Sequence, residues 1–323
     1  CLINEILKHP VKKVDYAELD PLIIKLLKKY PSKLTQTELE DPRVNIINSD
    51  GRFFVKNTPN KYDIVLIGLS KPQDLLSNRL FTLEFFALVQ KRLNEGGIIA
   101  FCLPGSLVYL SQELKDLNAC VLNALKRTYA YVRIIPGDYN MFLASDSRAL
   151  LEVNAAGVTQ RLRERNIKAD ILVPAYLEHR LSSAWSGWFR NSLRGATSKA
   201  NQDLMPFAVY QMLIFWNKQF TPGLANFFRA AGSLNIIFFC ILISGITLVL
   251  FYFLRQRRAQ KLIIAYSIAT TGFFGMLSTL LLIFSFQVFY GYLYYKIGLL
   301  TSIFMAGIAL GSILIIKPLE RIK

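Results

Sequence analysis

The chain has 323 residues, enough for two domains, with 53% apolar residues and a net charge of +16. Residues 231–323 hold eight basic residues and one acid, which leaves 30 basic and 21 acidic residues ahead of them. No arginine-rich stripe interleaves with aromatics, which argues against a nucleic-acid partner. The four cysteines (Cys1, Cys102, Cys120, Cys240) at no metal or redox spacing, with only two histidines, argue against a metal site.

The chain opens inside a helix. Leu2, Ile3, Ile6 and Leu7 give a helical apolar spacing with no leader ahead of it, so it reads as N-terminally truncated, its first strand missing. Residues 11–19 read as a strand ending in Glu18 and Asp20, and residues 21–30 as an amphipathic helix. Residues 42–47 are extended, then Asn48-Ser49-Asp50-Gly51 turns into a short helix at 52–56. Residues 62–67 carry the β-branched run Ile64-Val65-Leu66-Ile67. It has no alternation, so it suits a strand buried on both faces of a parallel sheet. A helix follows at 82–93, Gly96-Gly97 breaks it, and 98–103 is the next strand. Residues 111–127 form a long helix with Ser111 as N-cap and Glu113 in its first turn. Two close runs, 131–135 and 141–144, favour an antiparallel hairpin at one sheet edge. Strands alternating with helices, then a hairpin, give a doubly wound α/β domain of the methyltransferase kind over residues 1–150.

Residues 151–232 read as a helical connector. Arg161-Leu162-Arg163-Glu164-Arg165 is a solvated helix face, and residues 210–220, with Trp216, lie at a bilayer interface. In 233–323 three stretches lack any charge: 234–254, 262–286 and 297–316. Each is long enough to cross a hydrocarbon core as a helix. Phe289, Tyr290, Tyr292, Tyr294 and Tyr295 form an aromatic belt, and Gly307 and Gly311 allow close helix packing. Basic residues after the first span (Arg255, Arg257, Arg258, Lys261) and the last (Lys317, Arg321, Lys323) mark the cytoplasmic side. Three crossings would then put the front domain outside, whereas a nucleotide pocket suits the cytoplasm; the front domain is expected there, in a multi-pass protein of the cell membrane.

Ligands in open α/β sheets sit beyond the carboxyl ends of the strands. Glu18 ends one strand where a ribose would sit, and its carboxylate accepts hydrogens from two hydroxyls. Asp50 ends the next; it accepts from an adenine amino group, and Gly51 lets the ring approach the backbone. Read alone, Glu18 is equally a solvent-facing strand end, and Asp50-Gly51 an everyday turn. At consecutive strand ends they make a joint case for a small-molecule site. The turn Gly68-Leu69-Ser70-Lys71-Pro72 ends the following strand and is where a substrate would react.

These residues carry a resemblance. Val14-Asp15-Tyr16-Ala17-Glu18-Leu19-Asp20-Pro21, Asp41-Pro42-Arg43-Val44, Asp50-Gly51-Arg52, Tyr62-Asp63-Ile64-Val65 and Phe81-Thr82-Leu83-Glu84-Phe85-Phe86, in this order, resemble the polyamine aminopropyltransferase (spermidine synthase) family. Further stretches are similar to membrane-bound, spermidine synthase-like bacterial proteins. These are Pro72 with Asn78-Arg79-Leu80-Phe81-Thr82, Gly137-Asp138, Phe142-Leu143-Ala144-Ser145, Asn201-Gln202-Asp203 and Gly291-Tyr292. The resemblance implies a Rossmann-like fold that binds decarboxylated S-adenosylmethionine or methylthioadenosine as a co-substrate or ligand, with nothing else tightly held. Glu18 would hold the ribose and Asp50 the adenine; the family's glycine-rich loop would precede Cys1.

The reacting turn departs from the family. Aminopropyl transfer needs a neutral amine brought to a sulfonium, and the family supplies carboxylates in a motif like Asp-Ser-Ser-Asp-Pro. Here Gly68 and Lys71 stand at those places, and Asp74, three residues on, is a weak substitute. Like charges about 4 Å apart repel by roughly 1–4 kcal/mol, so Lys71 favours an anionic or neutral acceptor over a polyamine. Two functions fit: a membrane-anchored alkyl or aminopropyl transferase, and a non-catalytic nucleotide-metabolite sensor or soluble module of a transporter-like protein. The expected partners are the bilayer, the small molecule and, through either domain, a second copy.

Overall fold

A computed structural model of the chain describes residues 2–221, 223, 224, 226, 228, 236–254, 260–290 and 294–321. It divides into two units, Cys1–Trp216 and Asn217–Lys323. The first opens with α1 (Leu2–Leu7), β1 (Val14–Glu18), α2 (Pro21–Lys29), α3 (Lys33–Glu40), β2 (Val44–Asn48) and α4 (Gly51–Asn57). It continues with β3 (Tyr62–Ile67), α5 (Leu75–Asn78), α6 (Leu83–Gln90), β4 (Leu93–Pro104), α7 (Gln112–Thr128), β5 (Tyr131–Ile135) and β6 (Tyr139–Ser145). Local chemistry sets the boundaries. Asp20 accepts the Leu22 N–H at 2.9 Å, with Pro21 at the first helical position, and Ser111 accepts the Leu114 N–H. α3, absent from the sequence reading, begins with a capping box between Ser32 and Thr35.

The α/β alternation is Rossmann-type, but the strands do not form one sheet. β1 and β2 pair parallel in a two-stranded sheet; the second sheet runs β3-β4-β6-β5. β3 and β4 are parallel, and β6 runs antiparallel to both β4 and β5, so the expected hairpin closes one edge. Among the described residues β1 and β3 share no ladder. Side chains link them instead: the Tyr62 hydroxyl donates to Asp15 Oδ2 at 2.8 Å.

This arrangement corrects the reading of β3. Ile64 is 58% exposed and Leu66 41%, so the strand is not buried on both faces. Side chains alternate along a strand; Val65 and Ile67 pack on the core, while the described elements leave the face of Ile64 and Leu66 open. The helix expected to break at Gly96-Gly97 ends earlier, at Gln90. β4 runs through both glycines, with Gly96 at φ +74°, and the pairing with β3 shifts between Tyr62 and Ile64. A bulge with a left-handed glycine thus lengthens the strand rather than ending it.

The core lies between the four-stranded sheet and helices α6 and α7. Phe101 of β4 stacks on Phe142 of β6 at 5.3 Å and on Phe86 of α6 at 5.6 Å, and meets Phe81 edge-on at 5.4 Å. These rings are 3% exposed or less. Cys120 is buried among them; Cys102 is half-buried.

Five helices complete this unit: α8 (Ala149–Glu152), α9 (Ala155–Glu164), α10 (Pro174–Arg180), α11 (Ser183–Ser192) and α12 (Phe207–Phe220), the last reaching past Trp216. Arg161, Arg163 and Arg165 are exposed, as a solvated face requires. α12 buries Ala208, Gln211, Met212 and Ile214, so this stretch packs on protein as well as presenting Trp216 and Phe220 to solvent.

The second unit contains α13 (Ile236–Leu254), α14 (Gln260–Tyr290) and α15 (Tyr294–Arg321). Helices therefore occupy the three expected stretches. Among the described residues, Ala265–Gln287 alone is long and apolar enough to cross a membrane; Thr301–Leu314 is a shorter apolar stretch. Leu234, Arg255, Arg257, Arg258, Gly291, Tyr292 and Lys323 lie outside the described residues, as do the side chains of Lys261, Phe289, Tyr290, Tyr294, Tyr295, Lys317 and Arg321.

Candidate functional site

β1 and β2 run side by side with Glu18 opposite Asn48, and the Ser49 N–H donates to the Glu18 carbonyl at 3.1 Å. Glu18 and Asp50 therefore lie at the same carboxyl edge. The sequence placed them at consecutive strand ends; the parallel register puts those ends next to each other. Glu18 is held on both oxygens, Oε2 by the Tyr16 hydroxyl at 2.6 Å and Oε1 by the Asp20 N–H at 3.1 Å. Burial, then the Glu18 carboxylate, push the Tyr16 hydroxyl well above its ordinary pKa, so it stays a donor.

Asp50 caps α4 by accepting the Phe53 N–H at 2.9 Å on Oδ1. The same oxygen takes the Arg79 guanidinium in an ion pair. Among the described residues Oδ2 takes no bond. One acceptor position on Asp50 thus remains for a ligand donor. Gly51 starts α4 with open space where a Cβ would stand, as a close ligand approach requires.

Arg79 and its neighbours were not legible as a site. Arg79 is 3% exposed, and burial pushes its guanidinium below its ordinary pKa while Asp50 opposes that shift. Arg52, two residues beyond Asp50, makes a bidentate pair with Asp203 at 2.7 and 2.5 Å and donates to the Arg79 carbonyl at 2.9 Å. The Thr82 hydroxyl donates to Asp203 at 2.7 Å, and the Asp203 N–H donates to Glu84 at 3.0 Å. Asn201, fully buried, donates to Asn78 and the Phe81 carbonyl and accepts the Ala208 N–H. The connector segment 201–203 thereby joins α4 to the corner before α6, across 119 to 151 residues of sequence. The motif residues Asn201-Gln202-Asp203 and Asn78-Arg79 were visible in sequence; their contact was not.

The turn after β3 is built differently. Gly68 follows β3 with open space around its Cβ position. Lys71 holds its ammonium over the Trp216 ring of α12, 5.1 Å from the centroid. Asp74 is the N-cap of α5: its Oδ1 accepts the Ser77 N–H at 2.7 Å and the Ser77 hydroxyl at 2.8 Å. The turn thus holds one cation on an aromatic face and one carboxylate engaged by a helix start.

Comparison with known proteins finds similarity over the front of the chain. Residues 1–149 match the family model described as spermine/spermidine synthase domain. The polyamine aminopropyltransferase of Korarchaeum cryptofilum is 30% identical over 167 residues, which cover 50% of this chain and 51% of that protein. That of Methanocaldococcus jannaschii is 31% identical over 173 residues, 51% of this chain and 58% of that protein. The chain spans about half the length of the curated relatives it matches. A crystal structure of spermidine synthase in complex with the transition state analogue AdoDATO overlays with a TM-score of 0.48 at 18% identity, covering 58% of this chain and 64% of that one. Residues 1–149 are thus similar in sequence to a spermine/spermidine synthase domain.

Proposed function

We propose that this chain is a membrane-anchored, aminopropyltransferase-like protein whose front domain binds a decarboxylated S-adenosylmethionine or methylthioadenosine-type ligand. Glu18 receives the ribose hydroxyls and Asp50 the adenine amino group. The observation that carries this reading is the pair itself: two carboxylates at one carboxyl edge, with Asp50 Oδ2 still able to accept. The aminopropyltransferase relatives support the ligand class. Ala265–Gln287 supports the anchor, and the sequence suggests two further crossings beside it, with the front domain in the cytoplasm.

A second reading has its own support. Among the described residues of the turn, Gly68 and Lys71 offer no carboxylate, and Asp74 is used as a helix cap. A domain with this turn binds a nucleotide metabolite without transferring an aminopropyl group, as a sensor or transporter module would.

Calorimetry with methylthioadenosine tests the ligand. The full chain should release heat on binding, and Glu18→Ala and Asp50→Ala should each weaken binding by about tenfold or more, the loss expected for one charge-assisted hydrogen bond. No heat from the unaltered protein would discard the reading. Added putrescine and decarboxylated S-adenosylmethionine then separate transferase from sensor by whether methylthioadenosine is formed.

A further inference from the structure

We propose that Asp203 is a positioning residue for the Asp50 pocket, and that it works by holding Arg52 away from the free oxygen of Asp50. The proposal rests on the nucleotide reading above and adds a control on the same pocket from a segment 151 residues away in sequence.

Among the described residues one cation, not two, meets Asp50. Arg79 lies on Asp50 Oδ1. Arg52 is the nearest other guanidinium by sequence, in the first turn of the helix that Asp50 caps. Its fork is spent elsewhere: both terminal nitrogens lie on Asp203, and one also reaches the Arg79 carbonyl. The two arginines are close enough that the charge of Arg52 acts on Arg79. Both partners of the Arg52–Asp203 pair are largely buried, with side chains 14% and 12% exposed. A guanidinium released in such a place seeks another carboxylate, because an uncompensated buried charge is costly. Asp50 Oδ2 is the acceptor that no described residue uses, and it is where the ligand's amino group would bind. Losing Asp203 therefore places a protein cation where the ligand donor belongs.

Asp203 is itself fixed. Thr82 donates to it, its N–H reaches Glu84, and the adjoining Asn201 is locked by three side-chain bonds. The connector thus sets the pocket's charge without touching the ligand.

The test uses the full chain, Asp203→Asn, Asp203→Glu, and the double variant Arg52→Gln with Asp203→Asn. Methylthioadenosine binding is measured by calorimetry, and the Asp203→Asn variant is crystallised without ligand. Asp203→Asn should lose about tenfold or more in affinity, Asp203→Glu should stay within a few-fold of the unaltered chain, and the double variant should recover most of the loss, because the displaced cation is gone. In the crystal, Arg52 should bond Asp50 Oδ2. The proposal is overturned if single and double variants lose equally, which would mean a merely structural role, or if Asp203→Asn binds like the unaltered chain. It is equally overturned if Arg52 stays off Asp50 in the variant crystal. An unaltered chain that gives no heat fails the nucleotide reading itself, and this role with it; an unaltered chain that binds while Asp203→Asn binds equally fails this inference alone.

Discussion

The Lys71 ammonium lies 5.1 Å from the centre of the Trp216 ring, so the cation of the turn after β3 is held by a helix that starts more than 130 residues later. A cation over an indole face is stabilised by about 0.5–2 kcal/mol, depending on how far it is desolvated. That contact keeps the positive charge at the end of β3 rather than letting it swing into solvent. Where relatives of this domain act on polyamines, an ammonium at this turn works against a cationic acceptor.

Lys71→Asp should therefore raise putrescine affinity, by about tenfold if the charge reversal is worth some 1.4 kcal/mol at the surface. Gly68→Asp can be added without steric cost, since a Cβ there meets nothing within 4 Å. The pair would restore two acids to the turn. Calorimetry with putrescine, with methylthioadenosine present, measures it; an affinity unmoved by both changes would remove charge as the reason for exclusion.

Phe101→Ala should destabilise the front domain by about 3–5 kcal/mol, the usual loss for a buried aromatic ring replaced by a cavity. Phe101 touches three other rings in the densest part of the core. Denaturant unfolding followed by far-ultraviolet circular dichroism gives the midpoint shift. A loss under about 1 kcal/mol would mean that the core closes over the gap.

The strands were legible because apolar β-branched runs have a short-range signal, and the caps at Asp20 and Ser111 are equally local. The places of Glu18 and Asp50 at or just past strand ends were legible from the extended segments before them. α3 was missed because its eight residues are mostly polar and its cap uses Thr35 where Glu is the usual signature. The Arg79–Asp50 and Arg52–Asp203 pairs were missed because no periodicity links residues 29 or 151 apart. Burial of β3 was misjudged because an unbroken apolar run reports what a strand can bury, while its exposure depends on which neighbours lie beside it.

Acid should weaken the front domain in a defined window. Burial alone would raise the pKa of Asp15, but hydrogen bonds from Asn45, Tyr62 and Lys13 outweigh it and hold the carboxyl below its ordinary value. The Arg43 side chain, followed by its N–H, holds Asp41 down at about 2. A depressed carboxyl stabilises the fold above its unfolded pKa of about 4, and that stability is lost as pH falls through the folded value. Melting temperature should drop from about pH 4 toward 2, and Asp15→Asn should flatten that slope. An unchanged slope would mean that Asp15 has no net coupling to folding.

Asn201→Ala tests whether the connector is part of the front domain's fold. Asn201 is fully buried and its side chain is saturated: two donations, to Asn78 and the Phe81 carbonyl, and one acceptance from the Ala208 N–H. Alanine removes the bonds but leaves those three groups buried without their partner. Each buried group stranded in this way costs about 1–3 kcal/mol, partly recovered by relaxation or entry of water, so a total on the order of 3 kcal/mol is expected. The loss should appear in one cooperative transition, because the groups stranded belong to the corner before α6 and to α12 alike. A separate early transition, with the β-sheet signal intact, would show instead that residues beyond 200 fold as their own unit and only rest against the sheet domain.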